Sequence, residues 1–272
     1  MILVVGATAF FGRQAVETLA ARHIPVRALT RDPSNAALPG GVEVVQADLT
    51  DPESLPAAVD GVTAVLLVLP FGLDPAPLLA LVPGRRIVVL SSSAVDESTD
   101  VIANYHRELE AAVAAATDDW TALRILFPAI NSLTFAQQLA HGDVIRVPYP
   151  DSSTAAVHEH DVAEAAVTAL TQDGHRGKAY DVTGPAALTQ ADQVAVLGTA
   201  LGRELHVEGV DPAAVLEQLA QFMDRGFADA LLSTMERATR APAPVTSTVE
   251  DLTGHPARPY AEWVRDRLDA FR

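Results

Sequence analysis

The chain begins MILVVGATAFFG (residues 1–12), and this stretch decides the fold. The first five residues are apolar and uncharged, which is typical of a buried parallel strand. Apolar residues recur with helical spacing over 13–22, immediately after the glycine-containing segment. A strand, a glycine turn and a helix in this order place the positive end of the helix dipole against a phosphate group. We therefore predict a dinucleotide-binding turn at residues 6–12.

Glycine suits such a turn because the backbone bends tightly and the pyrophosphate approaches it closely. The spacing here is G-x-x-A-x-x-G, so Ala9 stands at the position of closest approach, where its methyl group takes up space. The alternative is a tight strand-to-helix turn that binds nothing. The turn residues predicted to contact the cofactor are Gly6, Thr8, Ala9, Phe10, Phe11 and Gly12.

The bulk composition restricts the class of protein. A chain of 272 residues suits one large α/β domain, or one domain with a smaller lobe. The absence of cysteine excludes disulfides, a thiolate nucleophile and cysteine metal sites, and suits a cytoplasmic protein. The net charge of −16 argues against a nucleic-acid partner. We expect neither a signal peptide nor a membrane partner, because no apolar run approaches the ~20 residues that span a bilayer.

Five further apolar runs, separated by helical or turn segments, continue the pattern of the first. Alternating strands and helices without internal repeats predict an α/β fold with a doubly wound parallel sheet of the Rossmann type over residues 1–140. Residues 141–272 are predicted to form a smaller C-terminal α/β lobe over the ligand edge, and a return of the chain to the sheet is left open. The predicted strands are 24–29, 42–47, 62–69, 86–90 and 121–126.

Two helix starts are predicted from capping residues. Thr50 and Glu53 have the spacing of a capping box, which would open a helix that ends at Val59. A long helix is predicted over 98–117, with Asp100 favouring its N-terminus.

Open α/β sheets bind ligands at the carboxyl ends of their strands, which selects a second group of candidate residues. Arg31 follows the second strand, where a basic side chain accommodates a 2′-phosphate, so NADP is favoured over NAD, although the neighbouring Asp32 opposes this assignment. The serines that follow the fifth strand would face a nicotinamide or a substrate, or alternatively cap the strand end. The further candidates at this edge are Asp48, Leu49, Leu69, Pro70, Ser91 and Ser92.

Metal and hydrolase sites are not predicted. His158 and His160 point apart on a helix and have no evident third ligand, while Asp161 is predicted to start that helix. The serines at 91–93 lack an adjacent hydrolase motif.

Several segments with family-specific spacing extend over nearly the whole chain. By these segments the chain resembles the NmrA-like atypical short-chain dehydrogenase/reductases, especially the NAD(P)H:quinone oxidoreductase-like members. The segments are residues 6–12, 31–33, 48–51 and 91–92, the pairs His106/Glu110 and Arg124/Asn131, and residues 161–166, 180–185 and 254–256.

The chain also departs from the family pattern. Ala9 replaces the second family glycine, and two phenylalanines make the turn bulky. Ile125 stands where the family has proline, and Pro128 where it has an aromatic residue. A short segment between the fourth and fifth strands would open one wall of the cleft.

The predicted chemistry depends on the helix that carries Tyr105. Ordinary short-chain dehydrogenases pair a tyrosine with a lysine four residues later, but Leu109 occupies that position here. The resemblance implies direct hydride transfer to an electron-poor acceptor, with Tyr105 and His106 lining the substrate side as candidate proton donors. The alternative for His106 is a hydrogen bond to Glu110, four residues on. Arg124 is interpreted as structural or as lining the cleft.

The sequence therefore predicts an NADPH-dependent reductase of a quinone, enone or related conjugated, hydrophobic small molecule. A non-redox cyclase or isomerase on the same fold and a non-catalytic NADP-sensing regulator remain as alternatives. A homodimer is compatible with the sequence but is not indicated by any segment.

Overall fold

The computed structural model describes residues 1–272. Eleven strands and twelve α-helices follow one another along the chain, and short 3-10 turns link some of them. The strands are β1 (Ile2–Val5), β2 (Val26–Thr30), β3 (Glu43–Gln46), β4 (Ala64–Leu67), β5 (Arg86–Ser91), β6 (Trp120–Arg124), β7 (Val144–Val147), β8 (Ser153–Thr154), β9 (Lys178–Asp181), β10 (Leu188–Thr189) and β11 (His206–Gly209). The helices are α1 (Phe10–Ala21), α2 (Leu55–Val59), α3 (Ala76–Leu79), α4 (Ala94–Glu97), α5 (Val101–Ala116), α6 (Thr134–Leu139), α7 (Glu159–Thr171), α8 (Gln190–Leu201), α9 (Pro212–Leu219), α10 (Arg225–Arg237), α11 (Thr248–Thr253) and α12 (Tyr260–Asp266).

Seven parallel strands form the main sheet, in the order β3-β2-β1-β4-β5-β6-β9. Strand β1 lies between β2 and β4, so the direction of winding reverses there and a crevice opens at its carboxyl end. The inner strands are buried on both faces, because helices cover each side of the sheet. The predicted doubly wound α/β fold is confirmed, and β1 is its switch point.

The chain returns to the main sheet after leaving it. Helix α7 packs against α1 on one face of the sheet, and β9 then pairs in parallel with β6. Residues 159–181 therefore extend the Rossmann layers from within the second half of the chain. The division of the chain into two parts at residue 140 stays a prediction. Residues 159–181 depart from it, because they belong to the layers of the first part.

The remaining residues of the second half form a smaller core of their own. Two short sheets, β7 with β11 and β8 with β10, lie beside helices α6, α8 and α12. Trp263, Leu197 and Ile145 are fully buried at the centre of this core.

Two helix starts differ from the prediction. The capping box at Thr50 is wrong, because Asp51 instead accepts from the Glu53 amide and caps a 3-10 turn before α2. The predicted helix over 98–117 is confirmed as α5, which begins three residues later than expected, at Val101, while the short helix α4 ends before residue 98. Asp100 caps the N-terminus of α5, as expected, since its carboxylate accepts from the amides of Ile102 (3.0 Å) and Ala103 (2.9 Å).

None of the helices combines the length and the apolar character that crossing a membrane requires.

Replacement of Asp100 by alanine leaves two amides of the first turn of α5 without their acceptor. We expect a loss of about 1 kcal/mol in the free energy of unfolding, measured by urea denaturation. Asp100→Asn is the matched control, because an amide oxygen also caps a helix. Equal losses for both variants would contradict the assigned cap.

Candidate functional site

The turn after β1 is built on two positions that admit only glycine. Gly6 has a φ of +73°, in the left-handed region, and a Cβ there would lie 2.3 Å from the Val68 carbonyl oxygen. A Cβ on Gly12 would lie 2.1 Å from the Gly6 carbonyl oxygen. The backbone is therefore packed on itself at both ends of the turn, and any side chain would push the first turn of α1 away from the sheet.

Ala9 fits the turn without strain. Its φ of −78° and ψ of 162° are ordinary extended values that an L-residue adopts freely. Its amide donates to the Gly6 carbonyl oxygen (2.9 Å), and its side chain is exposed. The alanine in the glycine pattern thus leaves the conformation of the turn unchanged, and its methyl group lies at the surface.

The first turn of α1 offers free hydrogen-bond donors. The backbone amides of Phe10, Phe11 and Gly12 have no acceptor in the protein, because no side chain caps the helix and its first turn holds no acidic residue. Thr8 is exposed beside them, and the Phe10 side chain is 54% exposed, so it does not fill the turn. Free amides at the positive end of a helix dipole fit the pyrophosphate of a dinucleotide.

Arg31 is available at the end of β2, whereas Asp32 is not. Arg31 is exposed, and only its carbonyl oxygen is engaged, by the Gln46 side chain (3.2 Å). The Asp32 carboxylate accepts from the side chains of Ser34 (2.5 Å) and Asn35 (2.6 Å). These hydrogen bonds lower the pKa of Asp32. The carboxylate that opposed the choice of NADP therefore serves a local turn, and the guanidinium remains free for a 2′-phosphate.

The other candidates near β3 and β4 differ in their contacts and in their burial. The Asp48 carboxylate accepts from the Thr50 amide (2.9 Å) and hydroxyl (2.8 Å), and these bonds, with the charge of Arg31, lower the pKa of Asp48. Leu49 is buried in the core, so its backbone alone could meet a ligand. Leu69 is half-buried, and Pro70 is exposed at the end of β4.

The serines that follow β5 are bound within the protein. The Ser91 hydroxyl donates to Glu110 (2.6 Å), which also receives two hydrogen bonds from Arg124 (2.9 and 2.8 Å). The Ser92 hydroxyl accepts from the Ala94 amide (3.2 Å), the first amide of α4. The observed contacts of both hydroxyls are structural, and neither contact involves a ligand-facing role.

Tyr105 holds the loop that follows β4. Its hydroxyl lies within hydrogen-bonding distance of the carbonyl oxygens of Pro70 (3.1 Å) and Leu73 (3.2 Å). Its ring centroid is 4.9 Å from that of Phe71, which in turn lies 4.7 Å from that of Phe227 on α10. Burial raises the pKa of Tyr105, so the hydroxyl is a weak acid in this setting.

His106 does not bond to Glu110, so the predicted helical pair is wrong. The Glu110 carboxylate is already occupied by Arg124 and Ser91, which lie on neighbouring strands. The His106 Nδ1 atom is buried without a partner. Burial lowers the pKa of His106 to about 4, and the charge of Glu110 offsets this only in part. The imidazole is therefore neutral at pH 7.

A cavity of about 110 Å³ opens at the carboxyl ends of β5, β6 and β9. Its wall includes Phe127, Thr154 and Asp181. Thr154 and Asp181 were not among the site residues predicted from the sequence. Asp181 could have been found by the rule that ligands meet strand ends, had β9 been assigned to the main sheet.

The histidines at the start of α7 serve the fold. His158 Nδ1 accepts from the His160 amide (3.1 Å), so His158 caps α7 and the assignment of that role to Asp161 is wrong. Asp161 is fully buried and pairs with Arg258. Asp161, Glu164 and His255 lie close enough together to hold a metal ion, but the guanidinium of Arg258 bonds to both carboxylates there.

The lowered pKa of His106 predicts a pH dependence of stability. The unfolded chain takes up a proton near pH 6.5 and the folded protein only near pH 4, so stability is lost as the pH falls through this window. We expect the wild type to lose about 1 kcal/mol more than His106→Gln between pH 7 and 5.5 in urea denaturation. Parallel losses in the two proteins would contradict the buried, neutral imidazole. Replacement of the exposed His141 by glutamine is the control.

Comparison with known proteins agrees with this geometry. A family described as NAD(P)H-binding matches residues 6–173, from the first glycine of the turn to just beyond α7. An NADPH-dependent quinone oxidoreductase from Escherichia coli, solved in complex with NADPH, superposes with a TM-score of 0.82 at 26% identity. The superposition covers 98% of this chain and 100% of that structure.

Two curated relatives match the chain over its whole length. One is the (4-alkanoyl-5-oxo-2,5-dihydrofuran-3-yl)methyl phosphate reductase of Streptomyces griseus, which is 40% identical over 100% of this chain and 99% of its own. The other is the NAD(P)H azoreductase of Xenophilus azovorans, which is 33% identical with the same coverage. These matches confirm the predicted NAD(P)H-dependent oxidoreductase and the resemblance to NmrA-like quinone oxidoreductases. The chain therefore belongs to the NAD(P)H-binding family.

Proposed function

We propose that this protein reduces a quinone, an enone or a related conjugated small molecule with NADPH, by direct hydride transfer and without a Tyr–Lys pair. The observation that carries the proposal is the open glycine turn, whose unpaired amides lie at the same sheet edge as the free guanidinium of Arg31. Relatives that are named as quinone, azo and furanone reductases support the choice of acceptor class.

Different residues at the carboxyl edge of the sheet would contact different parts of the cofactor. We assign the pyrophosphate to the turn over 6–12 and the 2′-phosphate to Arg31, because a planar guanidinium binds phosphate through two parallel hydrogen bonds. Asp48, Leu49, Leu69 and Pro70 would contact the ribose and ring portions through their position at strand ends. When bound, NADPH supplies the hydride.

The chain's own part in the reduction is positioning and exclusion of water. Tyr105 fixes the loop that carries Phe71, and the contact of Phe71 with Phe227 ties that loop to α10. His106 is a neutral imidazole at pH 7 and lies beside Tyr105, with ring centroids 5.2 Å apart. An electron-poor acceptor needs no strong acid, because the negative charge that forms on its oxygen is delocalised, and this suits a site whose tyrosine hydroxyl is occupied.

The geometry of the turn favours a reductase over the non-redox alternative. A disused cofactor site would be filled by its bulky residues, whereas the Phe10 side chain turns outward and Ala9 is unstrained. A regulator that binds NADPH without turnover differs from the proposal only in activity, and the kinetic experiment below separates the two.

The geometry of the turn predicts that one small substitution weakens NADPH binding and that another leaves it nearly unchanged. Gly12→Ala places a methyl group against the Gly6 carbonyl oxygen, so we expect the Kd for NADPH to rise at least about tenfold. Ala9→Gly should leave the Kd within about threefold, because the alanine is exposed and unstrained. Both are measured by NADPH fluorescence titration, with circular dichroism as the check on folding. A large gain in affinity for Ala9→Gly would show that the methyl group obstructs the cofactor.

Steady-state consumption of NADPH with a panel of quinones and enones tests the function itself. We expect turnover with NADPH, and for Arg31→Ala a fall in kcat/KM for NADPH of about tenfold or more, with little change for NADH. Arg176→Ala is the matched control, since that exposed arginine pairs with Asp118 away from the strand ends.

NADPH binding without consumption by any acceptor would instead indicate a regulator. Turnover of a substrate that does not depend on a nicotinamide cofactor would indicate the non-redox enzyme.

A further inference from the structure

The cavity at the ends of β5, β6 and β9 lies along the same sheet edge as the glycine turn, on the far side of β4. Neighbouring strands are about 4.8 Å apart, so β5 lies about 10 Å from β1. The proposed function needs an acceptor pocket beyond the cofactor along this edge, and the inference below rests on it.

Thr154 is one of the residues that line this cavity. The residue is 7% exposed, and its Oγ1 atom accepts a hydrogen bond from the Gln193 side-chain nitrogen at 2.7 Å. No protein atom accepts the proton of the Thr154 hydroxyl. A threonine hydroxyl that accepts one hydrogen bond can still donate one through its own proton. A buried donor that is left without an acceptor costs free energy.

Gln193 determines the direction of this hydroxyl. It is buried on α8, and its amide oxygen accepts from the Ser132 hydroxyl at 3.4 Å. Because the oxygen of the amide faces Ser132, its nitrogen faces Thr154 and can only donate. The Thr154 proton is therefore turned away from Gln193.

The charged residues in the rest of the wall disfavour an anionic ligand. Three carboxylates line the cavity, on Asp96, Glu97 and Asp181, and its lining includes no lysine, arginine or histidine. Asp96 accepts from Arg124 (2.6 Å) and Asp181 from Ser93 (2.8 Å), so both are held as acceptors. An anionic ligand would be repelled, whereas an uncharged carbonyl compound would not.

We propose that Thr154 donates a hydrogen bond to the carbonyl oxygen of an uncharged, conjugated acceptor bound in this cavity, and that Gln193 is the positioning residue for that donor. In the reduction, a hydride from NADPH forms the new C–H bond on the acceptor, and the π electron pair moves onto the carbonyl oxygen. The oxygen then takes a proton from solvent. A donor fixed at this oxygen stabilises the charge that develops there.

Two variants of Thr154 test the donor. Thr154→Val keeps the shape but removes the hydroxyl, so kcat/KM for an uncharged naphthoquinone should fall about tenfold to a hundredfold, mainly through kcat. Thr154→Ser keeps the donor and should stay within about threefold of the wild type. The Kd for NADPH should be the same in all three proteins. Equal kinetics for the valine and serine variants would overturn the proposal.

A variant of Gln193 tests the positioning. In Gln193→Glu the carboxylate accepts from both hydroxyls, so the Thr154 proton turns inward and activity should fall as far as in Thr154→Val. The double variant Thr154→Val/Gln193→Glu should lose no more than either single variant. Additive losses would show that Gln193 acts independently of Thr154. If Gln193→Glu fails to fold, the valine and serine pair still decides the role of Thr154.

The charge of the acceptor gives a separate readout. We expect the wild type to reduce a naphthoquinone sulfonate at least about tenfold less efficiently than the uncharged quinone, and Glu97→Gln to narrow that ratio. Equal efficiencies would overturn the choice of an uncharged acceptor while the reductase function stands. If the wild type consumes NADPH with neither quinone nor any enone, both the proposed function and this inference fail.

Discussion

The backbone contact between Gly6 and Val68, and that between Gly12 and Gly6, are the constraints on which the site depends. At each contact there is no room for a Cβ atom, so the chain leaves β1 and enters α1 in a tight turn. Strand β1 lies between β2 and β4, so this turn opens into the crevice where the winding of the sheet reverses. A helix that starts so close to the sheet points its unpaired amides along that crevice.

Most polar groups around the crevice satisfy one another, and this makes the exceptions informative. Asp32 is held by Ser34 and Asn35, while Glu110 joins Ser91 to Arg124. The Tyr105 hydroxyl contacts carbonyl oxygens of the loop that follows β4. The groups left without partners include the amides at the start of α1, the guanidinium of Arg31 and the proton of Thr154. Their chemistry matches a pyrophosphate, a second phosphate and a carbonyl oxygen, respectively. Along the sheet edge, Arg31 at the end of β2 comes first, the turn after β1 second and the cavity at β5, β6 and β9 last.

The parts of the fold that sequence reasoning predicted are those with local signals. Strands β1 to β6 follow from apolar runs, and the turn over 6–12 from its glycines. Strand β9 was not placed in the sheet because Lys178–Asp181 is a largely exposed edge strand, which lacks the apolar run of the inner strands. The hydrogen bond of Thr154 to Gln193 joins residues that are far apart in the chain, as do those of Tyr105 to the β4 loop. Only tertiary contacts show which predicted candidates, such as Ser91, are occupied within the protein.

The most direct test of this account is to follow the backbone amide signals of isotope-labelled protein by nuclear magnetic resonance during titration with NADPH. We expect the largest shifts at saturation on the amides of residues 8–12, with a second group around Arg31 that is absent when NADH replaces NADPH. Saturable binding that leaves the amides of Phe10, Phe11 and Gly12 unshifted would contradict it, because the unpaired donors of the glycine turn would then not hold the cofactor.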